Sequence, residues 1–215
     1  MTVGQRYKGK VREYTVVNEA FSRKLKTGGN LDWWGERLGE GYIDTAFIAA
    51  READPNAILI LNDFGNETEG EISNLMYDYI KAAKARGLPI DGVGMQMHLG
   101  GESAPSKEDV MKNMMRFGDL GIKVYVTEFD VNMQDVDKSK DEEEQIQAAV
   151  YGRMLQACIE VGPKVCPNFG YLGLIDRQSW YGGIGLEDAD PLMFDDNYNP
   201  KPAFFEVRRV LEEVQ

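Results

Sequence analysis

The sequence holds one histidine and two cysteines, and no apolar run comes near the roughly 18 residues that span a bilayer. His98, Cys158 and Cys166 offer no recognisable ligand spacing, which argues against a zinc site. Positive charge is also scarce. The 24 Lys and Arg are outnumbered by 36 Asp and Glu, for a net charge of −12. Nucleic acid and anionic membrane surfaces are recognised by clustered cations, so neither is expected as a partner. The opening stretch, MTVGQRYKGKVRE, lacks the apolar core of a secretory leader. No Gly-x-Gly-x-x-Gly follows the first apolar run, which disfavours a dinucleotide cofactor. No cofactor and no metal are expected.

A hydrophobic share of 43% in 215 residues suits one globular domain with a sizeable core, spanning 1–215. Five apolar, β-branched runs stand out: REYTVVNE (12–19), AILILND (57–63), GVGMQMH (92–98), KVYVTEFDV (123–131) and FGYLGLID (169–176). Helical segments separate them, at 36–53, 69–87, 106–120 and 141–161, with a last one at 202–213. The clearest is 69–87, where Ile72, Leu75, Met76, Tyr79, Ile80 and Ala83 recur on one face. Gly87 and Pro89 close it. Ser139 is a plausible cap before the acidic first turn at 141–144. Strands alternating with helices predict a parallel α/β sheet, and runs apolar throughout predict strands covered on both faces. The irregular pieces, 21–35, 99–105, 132–140 and 177–200, all follow strand ends. In a (β/α) barrel that is the active-site face.

Polar residues collect at those strand ends: Asn18-Glu19, Asn62-Asp63, Gln96-Met97-His98, Glu128-Phe129-Asp130 and Asp176. Two glutamates, Glu19 and Glu128, each terminate a β-run more than a hundred residues apart. A lone glutamate there is usually a loop cap or an ion-pair partner. A pair facing each other is the equipment of glycoside hydrolysis, in which one acid protonates the leaving oxygen and the other attacks or activates water. The aromatics Trp33, Trp34, Trp180 and Tyr181 are expected in loops on the same side, where rings can stack on sugars. The eight-residue spacing of Cys158 and Cys166 fits a small disulfide loop and free thiols about equally.

With these residues in view, the chain resembles the C-terminal part of family 10 glycoside hydrolases, the endo-β-1,4-xylanases. The stretches that carry the resemblance are RYKGKV, VVNEAF, GYIDTAFIAAREADPNAILILND, LPIDGVGMQMHL, KVYVTEFDV, DRQSW and PLMFDDNYNPKPAF, spread from residue 6 to residue 205. The resemblance implies a (β/α)8 TIM-barrel type of fold, this chain covering about strands 4–8 as a partial barrel, and a retaining double displacement. It implies Glu19 as acid/base and Glu128 as nucleophile, with the two carboxyls roughly 5–5.5 Å apart. Glu19 would then carry a proton while Glu128 stays ionised. Asn18, His98 and Asp130 match supporting residues: Asn18 towards the sugar 2-hydroxyl and the nucleophile, His98 on the nucleophile, Asp130 behind the histidine. Asn62, Phe64, Gln96 and Trp180 match residues that line the sugar cleft, with Trp180 as its roof. Cys158 and Cys166 match a disulfide near the last strand. The implied partner is xylan or a xylo-oligosaccharide, and the implied setting is extracellular. A cellulase of the wider two-glutamate group and a non-catalytic carbohydrate-binding fragment are the alternatives.

The chain also departs from the family pattern. It begins at what would be the fourth strand, so the sheet is expected to have two bare edges. Unpaired edges invite pairing, and a second copy or another chain is expected to cover them. The family's Trp-Gly on the eighth strand is here Leu172-Gly173, Tyr14-Thr15 stands where Trp-Asp precedes the Asn-Glu strand, and Gly65 replaces an asparagine.

Overall fold

The structure is a computed structural model of the 215-residue chain, described over residues 2–22, 33–39 and 41–214. After a short helix α1 (Thr2–Arg6), strand β1 (Glu13–Asn18) leads towards the sheet. Helices α2 (Trp33–Leu38) and α3 (Tyr42–Ala53) precede β2 (Ile58–Asp63), and α4 (Glu71–Ala85) precedes β3 (Gly92–Met95) and β4 (His98–Gly100). Helix α5 (Lys107–Asp119) leads to β5 (Lys123–Asn132), and α6 (Lys140–Val161) leads to β6 (Asn168–Tyr171). Three 3-10 turns (Asp176–Gln178, Trp180–Ile184, Glu187–Ala189) and α7 (Pro202–Glu212) complete the chain.

Every strand pairing is parallel: β1 with β2, β2 with β3, and β5 with β3, β4 and β6. Strands β3 and β4 are successive parts of one sheet position, interrupted at Gln96 and Met97. The five positions therefore follow chain order, as in a barrel wall. Among the described residues β1 and β6 each pair on one side only. The core lies between sheet and helices. Leu59, Leu61, Val93, Val124, Val126 and Phe129 from the strands meet Phe47, Met76, Ile80, Met114 and Phe117 from the helices, all fully buried. At about 1.5–3 kcal/mol per buried large side chain, this layer holds the sheet in register.

Three expectations need correction. The helix expected over 36–53 is two helices, because two glycines within three residues, Gly39 and Gly41, interrupt it. Trp33 and Trp34 lie on α2 rather than in a loop. Arg37, one turn on, donates to the Trp33 carbonyl at 3.0 Å and stacks over its ring. Most of the irregular piece expected at 21–35 lies outside the described residues. The strand expected over 169–176 ends at Tyr171. Gly173 turns the chain at φ +112, and Ile175 bridges to Phe194 instead of its neighbour strand.

At the start of α6, Ser139 caps the helix, with its side chain and that of Glu142 forming a reciprocal capping box. Cys158, near the end of α6, is joined to Cys166 just before β6 by a disulfide, with Cα atoms 5.3 Å apart. This staple lies at the N-terminal end of the sheet, away from the polar strand ends.

Candidate active site

Glu128 sits near the end of β5, where the strand departs from regular pairing. Between Val126 and Phe129 the register to β6 slips by one residue. Such a bulge lets neighbouring residues face the same side. Thr127 and Glu128 use it: the Thr127 hydroxyl donates to Asn62 Oδ1 at 2.8 Å, and Glu128 Oε1 accepts from Asn62 Nδ2 at 2.8 Å. The Glu128 carboxylate can only accept, so the amide nitrogen faces it and the amide oxygen is left to take the Thr127 proton. The Asn62 side chain lies across β3 only because residue 94 is glycine; a Cβ there would come within 2.0 Å of Asn62 Oδ1.

His98 opens β4 directly opposite Asp130 on β5. Its Nδ1 lies 2.9 Å from Asp130 Oδ1 and its Nε2 lies 3.5 Å from Glu128 Oε2. Burial works against a charge on His98. The Asp130 and Glu128 carboxylates overcome it and push the His98 pKa up to about 9, so the ring is cationic at neutral pH. The Glu128 carboxyl moves down from its ordinary value, chiefly through His98, against burial and with help from Asn62. Asp130 is fully buried and also accepts from Trp180 Nε1 at 2.9 Å and from the Tyr181 hydroxyl at 3.4 Å.

Trp180 is 39% exposed, stacks on Tyr181 and approaches His98 with ring centroids 4.9 Å apart. Its loop is pinned from below by a buried pair, Lys201 with Asp176 at 3.0 Å. Lys201 also donates to the Asp190 carbonyl, and Asp176 accepts the Leu192 N–H.

Glu19 reaches the same place from the end of β1. Its backbone is left-handed (φ 60), and its N–H donates to the Asn62 carbonyl at 2.9 Å. Glu19 Oε1 accepts from Gln96 Nε2 at 3.2 Å, and the same nitrogen lies 3.2 Å from Asn18 Oδ1. Asn18 Oδ1 in turn accepts from Asn62 Nδ2 at 2.8 Å. An unbroken chain of amides thus runs Glu19–Gln96–Asn18–Asn62–Glu128. The two glutamates of distant strands belong to one hydrogen-bonded cluster. Asn62, placed by resemblance along the cleft, bonds Glu128, and Asn18 reaches Glu128 through it. Phe64 is half-buried beside the cluster, its N–H donating to Asp63 Oδ1.

Several members were not singled out from the sequence. Thr127 sits inside the TEFD motif, yet its role depends on the bulge. Gly94 acts through close approach. Tyr181 was expected among the aromatics on this side, but its cross-loop bond to Asp130 was not. Two buried carboxyls, Asp63 at the end of β2 and Glu67 in the loop that follows, are raised by burial. Asp63 was named among the polar strand ends without a role, and Glu67 was not named.

Residues 1–210 match the family model described as Glycosyl hydrolase family 10. The chain belongs to that family. It is 38% identical over 99% of its length to endo-1,4-beta-xylanase B of Thermotoga neapolitana, of which it covers 60%. It is 33% identical over 96% of its length to an endo-1,4-beta-xylanase of Geobacillus stearothermophilus, covering 64% of that protein. Among solved structures it is similar to xylanase 10B of Thermotoga petrophila RKU-1, solved with xylobiose, at TM-score 0.89 and 35% identity. That match covers 99% of this chain and 63% of the other. A mutant of P. fluorescens subsp. cellulosa xylanase A, solved with xylopentaose, matches at TM-score 0.85 and 32% identity, over 98% of this chain and 68% of that one. The chain thus spans about 60% of the curated relatives named here. Its parallel sheet is the corresponding part of a family 10 (β/α)8 barrel.

Proposed function

We propose that the chain carries the catalytic pair of a retaining endo-β-1,4-xylanase, acting on xylan or xylo-oligosaccharides. The observation that carries this reading is the amide chain that ties Glu19 to Glu128 while cationic His98 keeps Glu128 ionised. In the first step a Glu128 oxygen attacks the anomeric carbon and the glycosidic C–O bond breaks. Glu19 gives its proton to the departing oxygen. In the second step water attacks the glycosyl-enzyme, Glu19 takes its proton and Glu128 leaves. Asn62, Gln96 and Asn18 present polar atoms to the sugar, Trp180 offers a ring face above it, and Asp130 steadies His98. The disulfide fits an oxidising, extracellular setting. A second copy or another chain along the β1 and β6 edges belongs to the same reading, and light scattering of the purified protein tests it.

The deciding experiment is reducing-sugar release from xylan by the purified chain beside its Glu128→Ala variant. Release that vanishes in the variant supports the reading; no release from folded wild type overturns it for this chain. A second reading, carbohydrate binding without turnover, draws on Leu172, which stands where the family has a tryptophan wall. Calorimetric binding of xylo-oligosaccharide with no hydrolysis would favour it. Xylan against cellulose is read in the same assay, since one hydroxymethyl group per sugar is worth only about 1–3 kcal/mol.

A further inference from the structure

We propose that Asp63 is the positioning residue of the Glu19 turn, holding the proposed acid/base in its left-handed conformation. The inference rests on the glycosidase reading of Glu19. A non-glycine residue at φ 60 is strained relative to its ordinary conformations, so something must hold it there. The chain turns helical at 20–22 immediately after Glu19. The first N–H groups of such a turn have no acceptor within it. Here they are also buried, with Phe21 9% and Ser22 1% exposed.

Asp63 supplies what they lack. Its Oδ2 accepts Phe21 N–H at 2.8 Å and Ser22 N–H at 3.3 Å, and its Oδ1 accepts Phe64 N–H at 2.9 Å. The backbone of the same dipeptide completes the clamp. The Asn62 carbonyl accepts Glu19 N–H at 2.9 Å, and the Asp63 carbonyl accepts the N–H of Gln96, the residue that donates to Glu19 Oε1, at 3.0 Å. Burial pushes the Asp63 carboxyl up, and its donors from Ser22, Phe21 and Phe64 pull the other way. A buried N–H left without a partner carries a desolvation cost comparable to that of the left-handed turn. Without the Asp63 acceptor the turn relaxes towards extended backbone, and the Glu19 carboxyl swings away from the leaving oxygen.

A residue that only stabilised the fold would weaken every substrate alike. One that acts through Glu19 follows the leaving group. A sugar oxygen must be protonated as it departs, whereas 2,4-dinitrophenolate departs unaided.

The experiment compares wild type, Asp63→Ala, Asp63→Asn and, as benchmark, Glu19→Ala on xylotetraose and on 2,4-dinitrophenyl β-xylobioside. In Asp63→Ala, kcat/KM for xylotetraose should fall about 100-fold or more, and glycosylation from the dinitrophenyl substrate by less than about fivefold, the pattern of Glu19→Ala. Asp63→Asn keeps an acceptor oxygen and should recover most of the xylotetraose rate. Equal loss on both substrates overturns the proposal. If wild type turns over neither substrate, the xylanase reading falls, and the proposal is read instead from amide hydrogen exchange. Phe21 and Ser22 should lose protection in Asp63→Ala, and less so in Asp63→Asn, while Leu59, Ile60 and Leu61 of β2 keep theirs. Unchanged protection at Phe21 and Ser22 overturns it.

Discussion

The two halves of the carboxylate cluster are built by different means. Around Glu128 the structure uses charge: a cationic histidine faces two carboxylates, and a buried aspartate collects two aromatic donors behind it. Around Glu19, just past the end of an edge strand, the partners seen among the described residues are amides and backbone groups. The contrast fits the roles proposed for the two groups. A nucleophile must stay ionised, and nearby positive charge secures that. An acid must give and regain a proton, so it cannot be locked in one charge state.

The largest expected effect separates the two halves directly. Glu128→Ala should abolish turnover of every substrate, a loss of about 10⁴-fold or more. Glu19→Ala should fall comparably on xylo-oligosaccharides but keep measurable turnover of an activated aryl xyloside, with added azide replacing water and restoring rate. Kinetics on the two substrate types check both. Equal sensitivity of the two variants to leaving group would erase the distinction between the halves.

His98 comes next, because the charged half depends on it. Its folded pKa, about 9, lies above the ordinary value of 6.5, so its contribution to stability is complete below pH 6.5 and is lost as pH rises through 9. That contribution is on the order of 3 kcal/mol, shared with its two carboxylate partners. Glu128 is shifted the other way, so its share is present above the ordinary glutamate range and is lost as pH falls through the lowered value. Denaturant midpoints between pH 6 and pH 10 should decline in wild type and stay flat over that window in His98→Gln. The same variant should lose about 100-fold in kcat/KM, and the alkaline limb near pH 9 should disappear from its rate profile. A flat wild-type curve would show that charge does not hold this half together.

How far the site could be read in the sequence tracks the same division. Glu19, Glu128, His98 and Asp130 stand at the ends of runs that are apolar because both faces of the sheet are covered, so their placement was legible. Gln96 and Asn62 were placed along a cleft by resemblance alone. Their part in linking the glutamates was not legible, since it depends on which strands pair and on the glycine at position 94. Thr127 and Glu128 adjoin in sequence, and alternation would put them on opposite faces; only the bulge turns both to Asn62. Asp63 was legible only as a polar strand end, because its partners Phe21 and Ser22 lie more than forty residues away. The strand read to residue 176 failed for a local reason. FGYLGLID is apolar throughout, and nothing in hydrophobicity marks the left-handed Gly173 as its stop. For Cys158 and Cys166 spacing alone left bonding open, and the approach of α6 to β6 decides it.

The disulfide lies outside both halves and serves as a control on them. Reducing it, or replacing Cys158 and Cys166 with alanine, should cost about 2–3 kcal/mol in denaturant unfolding, as expected for a loop this short. The ratio of rates on activated and unactivated substrates should not move. A change in that ratio would mean that the strand ends are coupled to the far end of the sheet.

The smallest expected effect tests the joint between the halves. Thr127→Val keeps side-chain shape but removes the hydroxyl that holds Asn62 Oδ1. The Asn62 amide then loses the partner on its oxygen, and its nitrogen is held less firmly between Glu128 and Asn18. One lost hydrogen bond of about 1–1.5 kcal/mol corresponds to about a tenfold fall in kcat/KM. Because Asn62 bonds Glu128 directly and reaches Glu19 only through Asn18 and Gln96, the fall should be similar on activated and unactivated substrates. A fall confined to unactivated substrates would mean that the amide chain serves the acid more than the nucleophile, and that the boundary between the halves lies on the Glu128 side of Asn62.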